Sequence, residues 1–290
     1  MKIDFLGIGA QKCASTWVHR VLSDHPEVAV YPGKEIDFFS YFYNFGYEWY
    51  EKHLGNVSAA KAIGDISASY FSDIAAPDRV FRYNPDMRIV LSLRDPIERA
   101  YSNHLNEVKL GHVTGQNLEF ESGLENNPMY LMQSYYANQL ARWLAVFPRN
   151  QILVIFQEDI RDAPFEQAQN LYRFLGVAED HKSWFLEKKV NESLINKNTR
   201  LDHFLKRLGK LGRFLGGREV VQAVKRNDWI RRLRRNHNQI ELRQVIPPIR
   251  EETRVRLQDM LANDMRELAH QLERKDLPWP SWSALQQRSK

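Results

Sequence analysis

The chain alternates short, near-continuous apolar runs with longer stretches in which apolar residues recur every three or four positions. Ile3–Ile8, Arg88–Leu93 ("RIVLSL") and Gln151–Phe156 ("QILVIF") lack the alternation of a half-exposed strand. They predict strands of a parallel sheet covered on both faces, with Lys61–Ile66 as a further, less apolar one. The helical period returns between them. Thr16–Leu22 puts Val18, Val21 and Leu22 on one face, and "SYYANQLARWLAVF" aligns Tyr136, Leu140, Trp143, Leu144 and Phe147. Pro164–Leu175 predicts another helix. After Leu93 the helix start is written out: Asp95 to cap, Pro96 for the first helical position, and Glu98 to complete a D-x-x-E capping box.

Strands alternating with helices imply an α/β fold, a central parallel sheet flanked by helices. From about Asn191 the pattern turns polar, basic and helical, and a last amphipathic helix is predicted near Arg250–Leu272. The expected organisation is one domain over 1–290, with an α/β core over 1–190 and a basic helical C-terminal part over 191–290. No repeat or low-complexity segment interrupts it. The aromatic cluster "DFFSYFYNFGYEWY" (Asp37–Tyr50) reads as core or as the wall of a cleft.

Composition narrows the class. With 43% hydrophobic and 27% charged residues, 290 residues bury an ample core, which excludes a globally disordered chain. Cys13 is the single cysteine, so disulfides and thiolate metal sites within one chain are excluded. "MKIDFLGIG" carries no basic leader with a long apolar segment behind it, and a cytoplasmic setting is expected. The net charge of +5 is uneven. Its excess lies between Lys206 and Arg250, including Arg231, Arg232, Arg234 and Arg235. That region reads either as a solvated helix surface or as a face for an acidic partner: a polyanionic substrate, a membrane or nucleic acid without sequence specificity.

The candidate chemistry begins at "FLGIGAQKCASTWVHRVL", residues 5–22, where strand, small-residue loop and helix N-terminus form an anion cradle. A Walker A loop places glycine before its lysine and a metal-binding hydroxyl after it. Here Gln11 precedes Lys12, Cys13 follows, and hydroxyls wait until Ser15 and Thr16. The loop aims a lysine and amides at an anion without the hydroxyl that would hold magnesium. Arg94 ends a buried strand, where open α/β sheets place ligands. Ser102 lies about 10 Å along the following helix from Asp95, so guanidinium and hydroxyl suit a phosphate held from two sides.

"GAQKCAST" and "RDPIERAYS" together resemble the 5′-phosphosulfate loop and the 3′-phosphate motif of sulfotransferases that use 3′-phosphoadenosine 5′-phosphosulfate (PAPS). The likeness is greatest to the heparan-sulfate type and its soluble bacterial relatives. "KEIDFF" (Lys34–Phe39) resembles the family's K-E-x-x-F-F segment, and "GDISASYF" (Gly64–Phe71) its G-[ED]-x-[ST]-x-x-Y-[FL] segment. "YYANQLARWLAVFPRNQILVIFQEDI" (Tyr135–Ile160) agrees as well. The resemblance covers 3–177 and returns at "PIREETRVRLQDMLANDMREL" (Pro248–Leu268). The family loop commonly reads K-[ST]-G-T-[ST], so Cys13 and Ala14 depart from it. The glycine- and lysine-rich closing loop has no clean counterpart; "NESLINKNTR" (Asn191–Arg200) is the candidate, with Lys197 and Arg200 as ligands.

The resemblance implies a P-loop NTPase-like sulfotransferase fold, PAPS as co-substrate and no metal. Lys12, aided by Lys34, stabilises the leaving phosphate. Cys13, Ala14, Ser15, Thr16 and Trp17 form the phosphosulfate loop, and Arg94 and Ser102 hold the 3′-phosphate. Glu35 is the implied base toward a hydroxyl or amine acceptor, which is a glycan, a lipid or a small natural product. Asp65, to orient the acceptor or Lys12, and Tyr135 are the acceptor-side candidates. His104, a second base candidate, lies on the 3′-phosphate helix, the wrong place to meet the sulfuryl group. Two other classes compete: a kinase or NTPase with its Walker B aspartate at the Leu91–Asp95 strand end, and a non-enzymatic anion- or membrane-binding module built on the basic region. A magnesium requirement marks the first; salt-dependent binding that survives Lys12→Ala and Glu35→Ala marks the second.

Overall fold

The computed structural model describes residues 3–53, 60–114, 118–186, 194–196 and 239–288. They belong to two compact units. The first comprises Met1–Asn103, Leu124–Val190 and Ile249–Lys290; the second comprises His104–Gly123 and Asn191–Pro248.

The first unit is built on a five-stranded parallel sheet in the order β2-β3-β1-β4-β5. The strands are β1 (Phe5–Gly9), β2 (Val28–Val30), β3 (Ala62–Ile66), β4 (Arg88–Leu93) and β5 (Ile152–Phe156). The four strands predicted from apolar runs are present, and β2, three residues long, is the one the pattern did not announce. In the centre of the sheet Phe5 pairs with Gly64 of β3 on one side and Arg88 of β4 on the other. The C-terminal ends of β3, β1 and β4 therefore stand side by side. Each of the three leads into one of the singled-out motifs, on the edge where parallel sheets bind ligands.

In chain order the helices are α1 (Ser15–Ser23), α2 (Gly46–Lys52), α3 (Ala76–Tyr83), α4 (Pro96–Leu110), α5 (Phe120–Asn126), α6 (Met129–Met132), α7 (Tyr136–Leu144), α8 (Gln157–Asp162) and α9 (Pro164–Leu175), of which α4 from His104 and α5 up to Gly123 belong to the second unit. Trp17, Val18, Val21 and Leu22 of α1 join Leu171, Tyr172 and Leu175 of α9 against Phe5, Val90 and Ile155, forming one buried layer. The aromatic cluster divides. Phe38, Phe39 and Tyr50 are buried, with Phe38 and Tyr50 stacked at 4.5 Å, while Tyr41, Phe42 and Phe45 stay exposed. A π-helical turn over Phe38–Phe42 makes that division.

The start of α4 departs from a full capping box. Asp95 Oδ1 accepts the amides of Ile97 (3.0 Å) and Glu98 (3.2 Å), as a cap should. The Asp95 amide, however, donates to Glu158 Oε1 (3.0 Å), so Glu98 is released from its expected return bond. Asp95 Oδ2 accepts the amide of Ser281 (2.9 Å), which fastens α12 (Pro280–Arg288) to the same point.

The predicted last helix is α11 (Glu251–Gln271), whose Leu257, Leu261, Met265 and Leu268 are buried on one stripe. It packs on α7, whose own N-cap residue, Tyr135, makes no side-chain cap. Asp264 does this from outside, accepting the amides of Ala137 (3.1 Å) and Asn138 (3.3 Å).

In the second unit, β6 (Leu194–Asn196) and β7 (Gln239–Glu241) pair antiparallel, with α10 (Leu242–Val245) after them. His104 is fully buried there and donates from Nε2 to the Leu118 carbonyl (2.9 Å). The basic segment's Arg231, Arg232, Arg234 and Arg235 lie outside the described residues.

Asp264→Ala should lower stability by about 1–2 kcal/mol, because it strips two amides of a largely buried acceptor. Urea unfolding measures this, and an unchanged midpoint would contradict the cap.

Candidate active site

The loop after β1 is held by its neighbour strand. The Ala10 amide donates to the Ser92 carbonyl (2.8 Å), and Ser92 Oγ donates to the Gly9 carbonyl (3.1 Å). Gly9 has φ 126°, and a Cβ there would stand 2.8 Å from the Ala68 carbonyl oxygen, so no other residue fits. Lys12 (φ 66°) and Ala14 (φ 68°) are also left-handed. Where the resembling family commonly has glycine, the need is thus conformational as well as one of size. Alanine accepts that conformation at a cost of about 1–2 kcal/mol. Ala14 is the N-cap of α1 and offers no side-chain acceptor, so the first turn keeps amides for an anion. Lys12 and Thr16 are half-buried on this loop, and Ser15 and Trp17 are buried.

The Cys13 side chain turns into the core. Its Sγ lies 3.5 Å from Tyr136 Oη, and burial pushes the thiol up to about 11. Tyr136 in turn donates to the Arg94 carbonyl (3.0 Å), tying the loop to the end of β4. What Cys13 offers a ligand is backbone; its side chain belongs to the core.

A second turn, Lys34–Phe38, faces the loop. Lys34 Nζ donates to Ser15 Oγ (3.0 Å) and to Glu35 Oε1 (2.6 Å), so the implied base and the anion loop share one lysine. Lys34, Glu35 and Asp37 all have φ near 57°. Three left-handed non-glycine residues within four positions need outside support, and the segment after β3 supplies it. The Glu35 amide donates to Ile66 carbonyl oxygen (3.0 Å), and Glu35 Oε2 accepts the Ala68 amide (2.8 Å). The Asp37 amide donates to Ser67 Oγ (3.0 Å), Ser69 Oγ donates to Asp37 Oδ1 (2.5 Å), and the Phe38 amide donates to Tyr70 Oη (2.9 Å). "KEIDFF" and "GDISASYF" are two halves of one clamp.

Asp65, expected to orient the acceptor or Lys12, is fully buried and organises that clamp from below. Its oxygens accept Ser67 Oγ (3.0 and 3.2 Å), Tyr70 Oη (2.6 Å) and Tyr50 Oη (3.4 Å). Burial pushes its carboxyl up to about 7 against the pull of the Tyr70 and Ser67 hydroxyls. Burial also raises Asp37, with the charge of Glu35 adding to it.

The two arginines of "RDPIER" behave differently. Arg99 is buried and satisfied by neutral partners: Ser134 Oγ (2.8 Å), Gln133 Oε1 (3.1 Å) and the Tyr130 carbonyl. Arg94 is mostly covered, its side chain 16% exposed, yet its guanidinium has no hydrogen-bond acceptor among the described residues. Its ion-pair partner there is Glu98, 3.6 Å away, and the Glu158 charge also acts on it. Glu98 also accepts from Arg254 Nη2 of α11 at 3.3 Å. Ser102 is buried on α4, and Tyr135 is half-buried at the start of α7. Lys197 and Arg200 lie outside the described residues. Ser67, Ser69 and Tyr70 were visible in the motif but carried no assigned role. Arg254 had no signal beside the nucleotide motif.

Asp65 gives the site a measurable pH signature. The folded chain keeps this proton up to about pH 7, whereas the unfolded chain releases it near 4. The raised pKa means stability present at low pH is lost as pH rises through that window. Wild type should therefore lose stability relative to Asp65→Asn between those limits in urea unfolding. A difference that stays constant with pH would sink this account.

The family model described as "Sulfotransferase domain" matches residues 2–210. Human bifunctional heparan sulfate N-deacetylase/N-sulfotransferase 2 is 30% identical over 192 residues, which are 60% of this chain and 22% of that protein. The membrane-associated sulfotransferase kil1 of Dictyostelium discoideum is 33% identical over 104 residues, 35% of this chain and 22% of the relative. The chain thus spans about a fifth of the length of these curated relatives. A sulfotransferase structure from Alicyclobacillus acidocaldarius superposes with a TM-score of 0.66 over 99% of both chains at 21% identity, and so shares the fold. With a five-stranded parallel sheet, an anion loop after β1 and a family match over most of its length, this chain belongs to the sulfotransferase domain family.

Proposed function

We propose that the chain moves a sulfuryl group from PAPS to a hydroxyl or amine acceptor by in-line transfer, with Glu35 as the base. The observation that carries this reading is Lys34, whose Nζ bridges Ser15 of the anion loop and the Glu35 carboxylate. A base and a phosphosulfate cradle on opposite sides of one ammonium are the parts that sulfuryl transfer requires. The remaining residues fit the donor. The uncapped first turn of α1 suits the 5′-phosphosulfate, and the open guanidinium of Arg94, with Ser102 farther along α4, suits the 3′-phosphate.

PAPS supplies a sulfuryl group on a mixed anhydride, whose leaving group is already a good one. The chain supplies placement and charge. Lys34 and the Ala68 amide fix the Glu35 carboxylate in place to take the acceptor proton. As the acceptor oxygen or nitrogen bonds to sulfur, its proton passes to Glu35 and the S–O bond to phosphate breaks. Protonation of Glu35 removes the counter-ion of Lys34, so its charge turns toward the phosphate oxygen that is gaining negative charge. Lys12 and the α1 amides meet the same charge. The names of the heparan sulfate relatives make a sugar amine or hydroxyl the first acceptor to try.

Calorimetric titration with 3′-phosphoadenosine 5′-phosphate (PAP), without magnesium, should show binding that weakens in Arg94→Ala. Glu35→Gln should leave PAP affinity unchanged while the transfer rate falls by roughly 10²–10⁴. Preference for ATP with magnesium over PAP would overturn the reading.

A further inference from the structure

Glu98, released from the capping box, points its carboxylate between two arginines. Arg254 Nη2 hydrogen-bonds Oε1 at 3.3 Å, while Arg94 Nη2 stands off from Oε2 at 3.6 Å. The side chains of Arg94, Glu98 and Arg254 are 16%, 22% and 30% exposed, so this is not a screened surface pair. The longer contact falls on Arg94, the residue whose donor fork is open.

Left alone with Arg94, Glu98 would take that fork in a bidentate pair and oppose any phosphate approaching it. We propose that Arg254 is a positioning residue of the donor site: it neutralises and holds Glu98, leaving Arg94 open to the 3′-phosphate. This rests on the donor-site reading above. It also gives the C-terminal helix a task in nucleotide selection, although Arg254 lies 156 residues from Glu98 in the chain. Arg254 acts through Arg94, so the signature is loss of 3′-phosphate recognition rather than loss of nucleotide binding.

The test compares PAP with adenosine 5′-phosphate, which lacks only the 3′-phosphate, on wild type, Arg254→Gln, Glu98→Gln and the double variant. Arg254→Gln should weaken PAP roughly tenfold, the scale of one partly buried charge contact, and leave adenosine 5′-phosphate unchanged. Glu98→Gln added to it should restore most of the PAP affinity, because the competing charge is gone. Unchanged PAP binding in Arg254→Gln overturns the inference. So does an equal loss for both nucleotides, or no recovery in the double variant. Wild type that fails to distinguish the two nucleotides overturns the donor-site reading, and this inference with it, and is told apart by arising before any variant is made.

Discussion

Asp65 lies beyond the reach of solvent where three hydroxyls converge, and the shape of the site follows from what its two oxygens accept. By taking the protons of Ser67 and Tyr70, it turns their lone pairs outward to the amides of Asp37 and Phe38. Those amides belong to a turn that sterics oppose. Three left-handed residues cost about 3–6 kcal/mol together, and the five hydrogen bonds from the end of β3 and the segment after it return about 1 kcal/mol each. The two magnitudes nearly balance. The turn keeps its form because one buried carboxyl group orients the groups that hold it.

The rest of the site hangs on this turn. Lys34 can reach Ser15 because its backbone is fixed on the far side, and the P-loop-like segment is fixed in turn by Ser92 and Gly9. Three adjacent strand ends thus deliver three separately encoded segments to one edge of the sheet. On the other flank Asp95 does for α4 and α12 what Asp65 does for the turn: one carboxylate serves two helix amides and a third from Ser281. Glu158 takes over the return bond of the cap, and that substitution sets Glu98 free to meet charged partners.

Much of this was legible in the sequence. Buried strands announce themselves by uninterrupted apolar runs, and Pro164–Leu175 ends where its periodicity ends. Asp95 reads as a cap because capping is local chemistry. Long-range substitution is not local: nothing near Asp95 says that Glu158 will displace Glu98. Likewise α7 carries no cap of its own, and Asp264, which supplies one, is 127 residues away. β2 was missed because three residues are too few to show a period. The motif marks Asp65 as a residue that orients the acceptor or Lys12, and only packing reveals that its neighbours are Tyr50 and Tyr70. Ala14 reads in the sequence only as a departure from the family's glycine, and its left-handed backbone angle is legible in the structure alone.

Cys13 carries a consequence of a different kind. The loop after β1 contains the chain's sole thiol, and that thiol is turned inward to the Tyr136 hydroxyl. At neutral pH almost none of it is thiolate, because burial holds the proton on sulfur. Alkylating agents and peroxides react with the thiolate, so the folded loop is silent to both, and the rate at which Cys13 becomes labelled measures how often the layer between β1 and α7 comes apart.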